Sequence, residues 1–302
     1  MANVLPVVAV VLNWNNYDDT RACLESLQSL TPGVNRTVVV DNGSTDGSGD
    51  RIAEEFPDIE VCFTGENLGF GGGMNAGIER ATAEDIEYLW LLNNDVLFPE
   101  KGVLSELCSV LDRKPDVAGV SPLIREYPET DDVWFWRGFI DWDRANAAHD
   151  PPGAFDGETD RLVSNDYITC CAFLVRASLV ERVGGLPTDY FLYYEDVDFC
   201  ARLRSEDYRL LTVTDAVVHH RVSASTGTVK GPIPAYYLAR NRIRFARRFD
   251  DRVADMFYPW YALGILTRTK WYFTSREYES IVALLRGAVD GLRGCTGKGP
   301  YP

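Results

Sequence analysis

Short apolar runs at residues 7–12, 37–40, 59–63 and 86–92 punctuate the first hundred residues and predict strands. Between and after them the spacing changes from two to about 3.6 residues. Thr20, Cys23, Leu24, Leu27 and Leu30 fall on one helical face, and so do Val103, Leu104, Leu107, Val110 and Leu111 behind Pro99, which is expected at a first helical position. Strands alternating with one-faced helices predict an α/β fold with a mixed, mostly parallel central sheet flanked by helices.

In open α/β sheets ligands bind beyond the carboxyl ends of the strands. Three polar clusters follow strand candidates here: Asp41 to Asp46, Asn67 to Asn75, and Asn93-Asn94-Asp95. The pattern loosens from Tyr127 to Asp166 into an aromatic, Pro/Gly-rich insertion with Trp134, Trp136 and Trp142, the kind of segment that recognises an acceptor. Regularity returns with an apolar run at 167–175, then Glu195, Asp196 and Asp198 opening a helix, then a strand near 210–218 ending at His219-His220. Beyond Gly231 a helix carries an apolar stripe (Tyr236, Ala239, Ile243, Ala246) beside a basic one (Arg240, Arg244, Arg247, Arg248). Residues 256–266, followed by Arg268, Lys270 and Trp271, suit either a helix lying at a membrane surface or one packed on the core.

Composition narrows the function classes. With 45 acidic residues against 30 basic ones, only five of them lysine, the net charge of −15 excludes a nucleic-acid partner and suits a surface kept hydrated in concentrated salt, hence a halophilic source. Seven cysteines without a Cys-x-x-Cys pair read as reduced, mostly buried thiols. No basic residue precedes the first apolar run and no stretch reaches the roughly 18 apolar residues of a membrane span, so a cytoplasmic protein, at most peripheral on the inner face of the membrane, is expected.

The polar clusters suggest a reaction. A carboxylate at a strand's end, Asp41, suits a nucleobase N–H, although turn and capping preferences account for the same residues. Small residues at 69–73 would let backbone N–H groups approach phosphates, or form a plain connection. The first strand-to-helix turn, Asn13-Trp14-Asn15-Asn16-Tyr17, holds no glycine and no Walker lysine, which weakens the dehydrogenase and P-loop readings. Asp95 is placed to bind Mg²⁺ or Mn²⁺ on a diphosphate, and alternation lets at most one of His219 and His220 join it. An imidazole there favours manganese. Glu195 and Asp196 either complement a helix N-terminus or, walled by Tyr190, Phe191, Tyr193 and Tyr194, work as proton acceptor and neighbour.

Taken in order, Asp41, Asn67 to Asn75, Asn93-Asn94-Asp95, Tyr194 to Asp198, His219-His220 and Arg240-Asn241 resemble glycosyltransferase family 2 over residues 5 to 250, nearest its rhamnosyltransferase-like branch. The resemblance implies a GT-A fold and inverting transfer from a nucleotide-diphosphate sugar to a saccharide or polyprenyl-linked saccharide. It further implies that Asp41 holds the base, that Asn13, Asn67, Asn75, Asn93 and Asn94 line the nucleotide-sugar site, and that Asp95 with His219 or His220 holds the metal. Asp196, with Glu195 beside it, would be the catalytic base, and Arg240 and Asn241 would contact donor phosphates. The family's Asp-x-Asp stands here as Asn93-Asn94-Asp95, with an amide for one carboxylate. The expected division is a glycosyltransferase domain at 1–230, with a nucleotide-binding half at 1–98 and an acceptor half at 99–230, and a helical extension at 231–302. Two rivals remain open: a sugar-nucleotide nucleotidyltransferase, which would need a Gly- and Arg-rich first loop, and a non-catalytic nucleotide-sugar binder.

Overall fold

The computed structural model of the protein describes residues 4–82, 86–128, 132–151, 153–157, 160–221 and 231–301. The N-terminal half runs β1 (Val4–Asn13), α1 (Tyr17–Gln28), β2 (Gly33–Asp41), α2 (Ser48–Glu55), β3 (Glu60–Phe63), α3 (Gly69–Ala81), β4 (Tyr88–Asn93), β5 (Val96–Leu97) and α4 (Val103–Arg113). The second half continues with β6 (Val117–Glu126), β7 (Val133–Phe135), β8 (Gly138–Asp141), β9 (Asn146–His149), β10 (Leu162–Asn165), β11 (Ala172–Arg176), α5 (Ala177–Val183), α6 (Glu195–Ser205) and β12 (Arg209–His220). Three helices close the chain: α7 (Pro232–Arg248), α8 (Phe257–Thr274) and α9 (Tyr278–Arg293).

The main sheet has the order β10-β12-β6-β11-β4-β1-β2-β3, with β5 and β7 added at β12 and β6. Its β3-β2-β1-β4 portion is parallel, and β11 enters antiparallel between β4 and β6. Residues 7–11 of β1 and 89–92 of β4 are fully buried, as strands covered on both faces require, which is why these segments are continuously apolar rather than alternating. The register sets Asn13 beside Asp41 and Leu12 beside Asn93, so the polar ends of three strands meet along one edge.

Two expectations about local structure change. Pro99 lies ahead of α4, which starts at Val103 with Gly102 as its cap. The glycines at 69–73 form the first turns of α3 rather than a loop. Their low helix propensity is outweighed by packing: a Cβ on Gly73 would stand 2.5 Å from Leu12 Cδ1, and one on Gly77 would stand 2.4 Å from Val10 Cγ1. Glycine lets this helix lie directly on β1.

The expected boundary between the main domain and the extension falls at 222–230, outside the described residues. Beyond it, α7 joins the principal core through Ile243, Phe245, Ala246 and Phe249, and a second small core through Ala235, Tyr236, Tyr237 and Ala239, which Tyr272, Ala283 and Leu284 complete. Most of the remaining apolar surface of α8 and α9 faces outward, including Leu263 (49% exposed), Leu266 (67%), Phe273 (62%) and Val282 (63%). Among the described residues no helix is long and apolar enough to cross a membrane.

Candidate active site

A cleft of 150 Å³ opens at the strand edge, with Trp14, Asn42, Asn67, Asn93, Asn94 and Asp95 on its wall. Asn13 and Asp41 lie beneath that wall. Asn13 is fully buried and donates to Asp41 Oδ2 (3.3 Å), Ser44 Oγ (3.2 Å) and Ser48 Oγ (2.9 Å), while Asp41 Oδ1 accepts from the Ser44 N–H at 2.8 Å. Their hydrogen-bonding capacity shapes the 42–48 turn, and the side chain that turn sends to the cleft is Asn42. Asn42 in turn donates to the Gly69 carbonyl (3.1 Å) and accepts from the Leu68 N–H (3.1 Å), fixing the start of α3. Asn67 caps the same turn by accepting from the Gly69 N–H at 2.9 Å. Asn75 stands elsewhere: its amide clips both backbone groups of Leu186, at 2.7 and 2.9 Å, and does not line the cleft that Asn67 lines.

Asn94 donates to Thr20 Oγ1 at 2.8 Å and anchors the turn to α1, which leaves Asp95 at the cleft edge. Pairing of His220 with Val96 across β12 and β5 brings His220 Nε2 to 3.1 Å from Asp95 Oδ1, with both residues buried. Alternation turns His219 to the other side of the strand. Burial disfavours the charged imidazole of His220, but Cys171 and the hydrogen bond to Asp95 outweigh burial and hold it well above its ordinary value. Once the imidazole gives up its proton, as metal binding requires, the pair offers one oxygen and one nitrogen donor. Among the described residues no group of three or more His, Cys, Asp or Glu forms a metal cage, so a divalent ion here would be completed by ligand oxygens and water, a donor set that suits Mg²⁺ or Mn²⁺.

The segment 190–194 separates this cleft from a second one. Phe191, Tyr193 and Tyr194 adopt left-handed backbone angles (φ 65°, 65° and 77°), which cost non-glycine residues about 1–3 kcal/mol each. A clamp on α7 holds them there. Asn241 Nδ2 donates to the carbonyls of Tyr190 (3.1 Å), Leu192 (2.7 Å) and Tyr193 (2.9 Å), and Arg240 Nη2 donates to that of Tyr190 at 2.6 Å. Arg240 Nη1 and Nε bind the Gly297 carbonyl and Asn241 Oδ1, so both residues are fully buried and committed to the loop, and their donors do not face the phosphate site expected of them.

This strained loop launches α6, with Glu195 and Asp196 in its first turn. Burial raises both carboxyls. For Asp196 the Val197 and Cys170 N–H groups and the Thr169 side chain oppose burial and hold it at about 6. Glu195 Oε2 has no hydrogen-bond partner, and burial together with the charge on Asp196 drives Glu195 well above the usual carboxylate range. Both neighbouring carboxyls are thus raised, and Asp196 is poised to accept a proton near neutrality. Asp198, the third acid of the cluster, is fully buried and accepts from Tyr190, Arg202 and Arg248, a packing role.

Asp196 faces a hollow of 450 Å³ walled by Trp134, His149, Tyr193, Glu195, Arg242 and Arg268. Consecutive residues connect the two sites: the Cys170 N–H donates to Asp196, while Cys171 contacts His220, the partner of Asp95. The Cys171 carbonyl also accepts from the Asn93 N–H at 3.0 Å, tying this junction to the end of β4. Trp134 packs edge-on against His220 with ring centres 4.5 Å apart, so the aromatic insertion reaches the same junction. Sequence reasoning named the insertion but not Trp134 as its contact, and it missed Trp14, Asn42, Thr169, Arg242 and Arg268. A polar or aromatic residue next to each named motif was the available signal for the first two. None existed for the arginines.

The sequence profile of Glycosyl transferase family 2 matches residues 8–184. The chain is 30% identical over 251 residues, 75% of its length and 79% of the relative's, to the N-acetylglucosaminyl-diphospho-decaprenol L-rhamnosyltransferase of Mycobacterium tuberculosis. It is 24% identical over 305 residues, 96% of its length and 92% of the relative's, to the low-salt glycan biosynthesis hexosyltransferase Agl10 of Haloferax volcanii. Among solved structures it resembles the mannosyltransferase PcManGT of Pyrobaculum calidifontis in complex with GDP-Man and Mn²⁺, with TM-score 0.59 and 18% identity over 95% of this chain and 87% of that one. The mixed sheet and its helices are those of the GT-A fold. With the profile spanning more than half of its 302 residues, the chain belongs to glycosyltransferase family 2.

Proposed function

We propose that the cleft takes a nucleotide-diphosphate sugar, that the hollow takes a saccharide or polyprenyl-linked saccharide, and that Asp196 is the base that joins them with inversion. The observation that supports this reading is the link at Cys170 and Cys171, consecutive residues of which one binds a carboxylate poised to accept a proton and the other touches the imidazole of a carboxylate–imidazole pair suited to a cation. Asp196 removes the proton from an acceptor hydroxyl as that oxygen bonds to the anomeric carbon. The bond from that carbon to the diphosphate oxygen breaks on the opposite face, and its electron pair leaves with the nucleoside diphosphate. Asp95 and His220 would hold a divalent cation, which when bound offsets the charge developing on the departing diphosphate. Glu195 stands beside Asp196 in the hollow, its carboxyl raised well above the usual range by burial and by the charge on Asp196. Asn42, Asn67 and Asn93 offer amides to the nucleoside and ribose, with Trp14 beside them.

The hydrophobic faces of α8 and α9 support contact with the inner face of a membrane, where a lipid-linked acceptor would reside. The test compares two variants. Asp196→Asn should lower transfer by about 10²- to 10⁴-fold with donor affinity unchanged, because only the proton acceptor is lost. Asp95→Ala should weaken donor binding in the presence of Mn²⁺ or Mg²⁺ and leave metal-free binding alone. Full transfer by the Asp196→Asn variant would remove the base assignment.

A further inference from the structure

The basic residues of α7 do not all have the same surroundings. Arg244 pairs with Asp189, Arg248 with Asp189 (2.6 Å) and Asp198 (2.9 Å), and Arg247 donates to the Gly291 and Leu292 carbonyls at the end of α9. Arg242 is half-buried in the hollow that holds Asp196, and its Nε donates to the Arg144 carbonyl at 2.9 Å. Its guanidinium lies over Tyr261 and close to Gly264, where an added Cβ would stand 3.4 Å from Nη1. Arg268, on α8, lines the same hollow, and its positive charge acts against that of Arg242, as does burial. Among the described residues neither arginine forms an ion pair.

The two guanidinium groups line one hollow and repel each other, and burial adds to the cost at Arg242; Asp141 acts favourably on Arg242 without pairing with it, and Arg268 also reaches the Tyr272 hydroxyl. A planar guanidinium with free donors is well matched to phosphate oxygens, which it binds through paired hydrogen bonds. The surroundings specify what carries the phosphate. Gly264, Ile265 and Arg268 of α8 line the hollow, while Leu263 and Leu266 of the same turns lie on the exposed side. A hydrocarbon chain attached to a phosphate in the hollow would therefore leave it directly onto an apolar surface.

We infer that Arg242 and Arg268 form a phosphate subsite for the acceptor, binding the diphosphate through which a prenyl lipid carries its saccharide and so presenting the sugar hydroxyl to Asp196. This rests on the proposed acceptor reading and deepens it: the hollow recognises the carrier's anionic linkage as well as the sugar.

Titration calorimetry with chelator present, so that no metal holds a diphosphate in the donor cleft, tests it with geranyl diphosphate, geraniol and inorganic pyrophosphate as probes. Geranyl diphosphate should bind, pyrophosphate should bind more weakly, and geraniol should not bind measurably. Arg242→Gln and Arg268→Gln should each weaken geranyl diphosphate by about tenfold or more, the loss expected for a charge-assisted hydrogen bond. Binding of nucleoside diphosphate with Mn²⁺ should stay unchanged in both. Arg268 is exposed, so its variant keeps the test decisive should the half-buried Arg242 be needed for folding. Unchanged geranyl diphosphate affinity in the Arg268→Gln variant would overturn the subsite. Pyrophosphate binding as tightly as geranyl diphosphate would overturn the lipid carrier. If the arginine variants behave like the parent while Asp196→Asn still abolishes transfer, the subsite fails and the catalytic reading stands. If Asp196→Asn transfers normally, the catalytic reading fails, whatever the arginines bind.

Discussion

The two cavities are built by opposite strategies. The proposed donor cleft sits where the ends of β1, β2 and β4 come into register, and its amides are tied into their neighbours: Asn42 and Asn67 to the backbone of Leu68 and Gly69, Asn94 to the Thr20 hydroxyl. The proposed acceptor hollow collects Trp134, His149, Asp196, Arg242 and Arg268 from four separate stretches of the chain around a loop with three left-handed residues, and it holds acids and arginines side by side. A nucleotide can be read by a rigid edge of the sheet, whereas activating a hydroxyl calls for a carboxyl lifted from its ordinary range, and that requires burial and strain held by something else. The something else is α7.

The comparison is broken most forcefully at Asn241. Replacing it with alanine takes this donor from the carbonyls of Leu192 and Tyr193 and leaves that of Tyr190 to Arg240 alone, at about 1–3 kcal/mol per unsatisfied group. Thermal unfolding should shift down accordingly, and kcat should fall because Asp196 loses its fixed position. The donor cleft shares Phe191 and Leu192 with that loop but takes its amides from the sheet edge, so nucleotide affinity should change much less than kcat. Equal losses in kcat and nucleotide affinity, measured side by side, would show that the cavities are not independently supported.

A smaller change reverses the pattern. An alanine Cβ at Gly73 would stand 2.5 Å from Leu12 Cδ1 and 3.0 Å from Asn42 Nδ2, and both of those side chains line the donor cleft. Overpacking of this kind costs typically 1–3 kcal/mol. Gly73→Ala should therefore raise the donor KM while the acceptor KM stays near that of the parent. A variant with unaltered donor KM would mean that α3 can move away from β1 without disturbing the cleft.

These contrasts also explain what the sequence made legible. Strands β1, β2 and β4 announce themselves as apolar runs ending in polar clusters, and because they are neighbours in the sheet the cleft can be assembled from sequence order alone. Asp196 was visible for a similar reason, being at the start of a helix beside aromatic residues. Glycines 69–73 misled because their local preference is against helix, while close approach to Leu12 and Val10 decides the matter. Asn75, Arg240 and Asn241 look like binding residues by type, yet their partners are backbone groups at Leu186, 190–193 and Gly297, contacts that no local pattern encodes. Among the α7 arginines, only three-dimensional structure separates Arg244 and Arg248, paired with carboxylates, from Arg242, which is held by a carbonyl.

The gentlest test separates the cavities by pH alone. Asp196 has its carboxyl raised from the ordinary value to about 6, and as a base it works only when deprotonated, so kcat should be flat above about pH 7 and fall roughly tenfold per unit well below 6. Its titratable neighbours Tyr167, Cys170 and Cys200 are all raised by burial and remain neutral through this range, so none of them should add a second inflection. Burial together with the charge on Asp196 raises Glu195 well above the usual carboxylate range. Glu195→Gln should accordingly leave the acidic midpoint near its parent position. A midpoint that drops markedly in that variant would mean that Glu195 is ionised beside Asp196 and that the order of the two carboxyls must be exchanged.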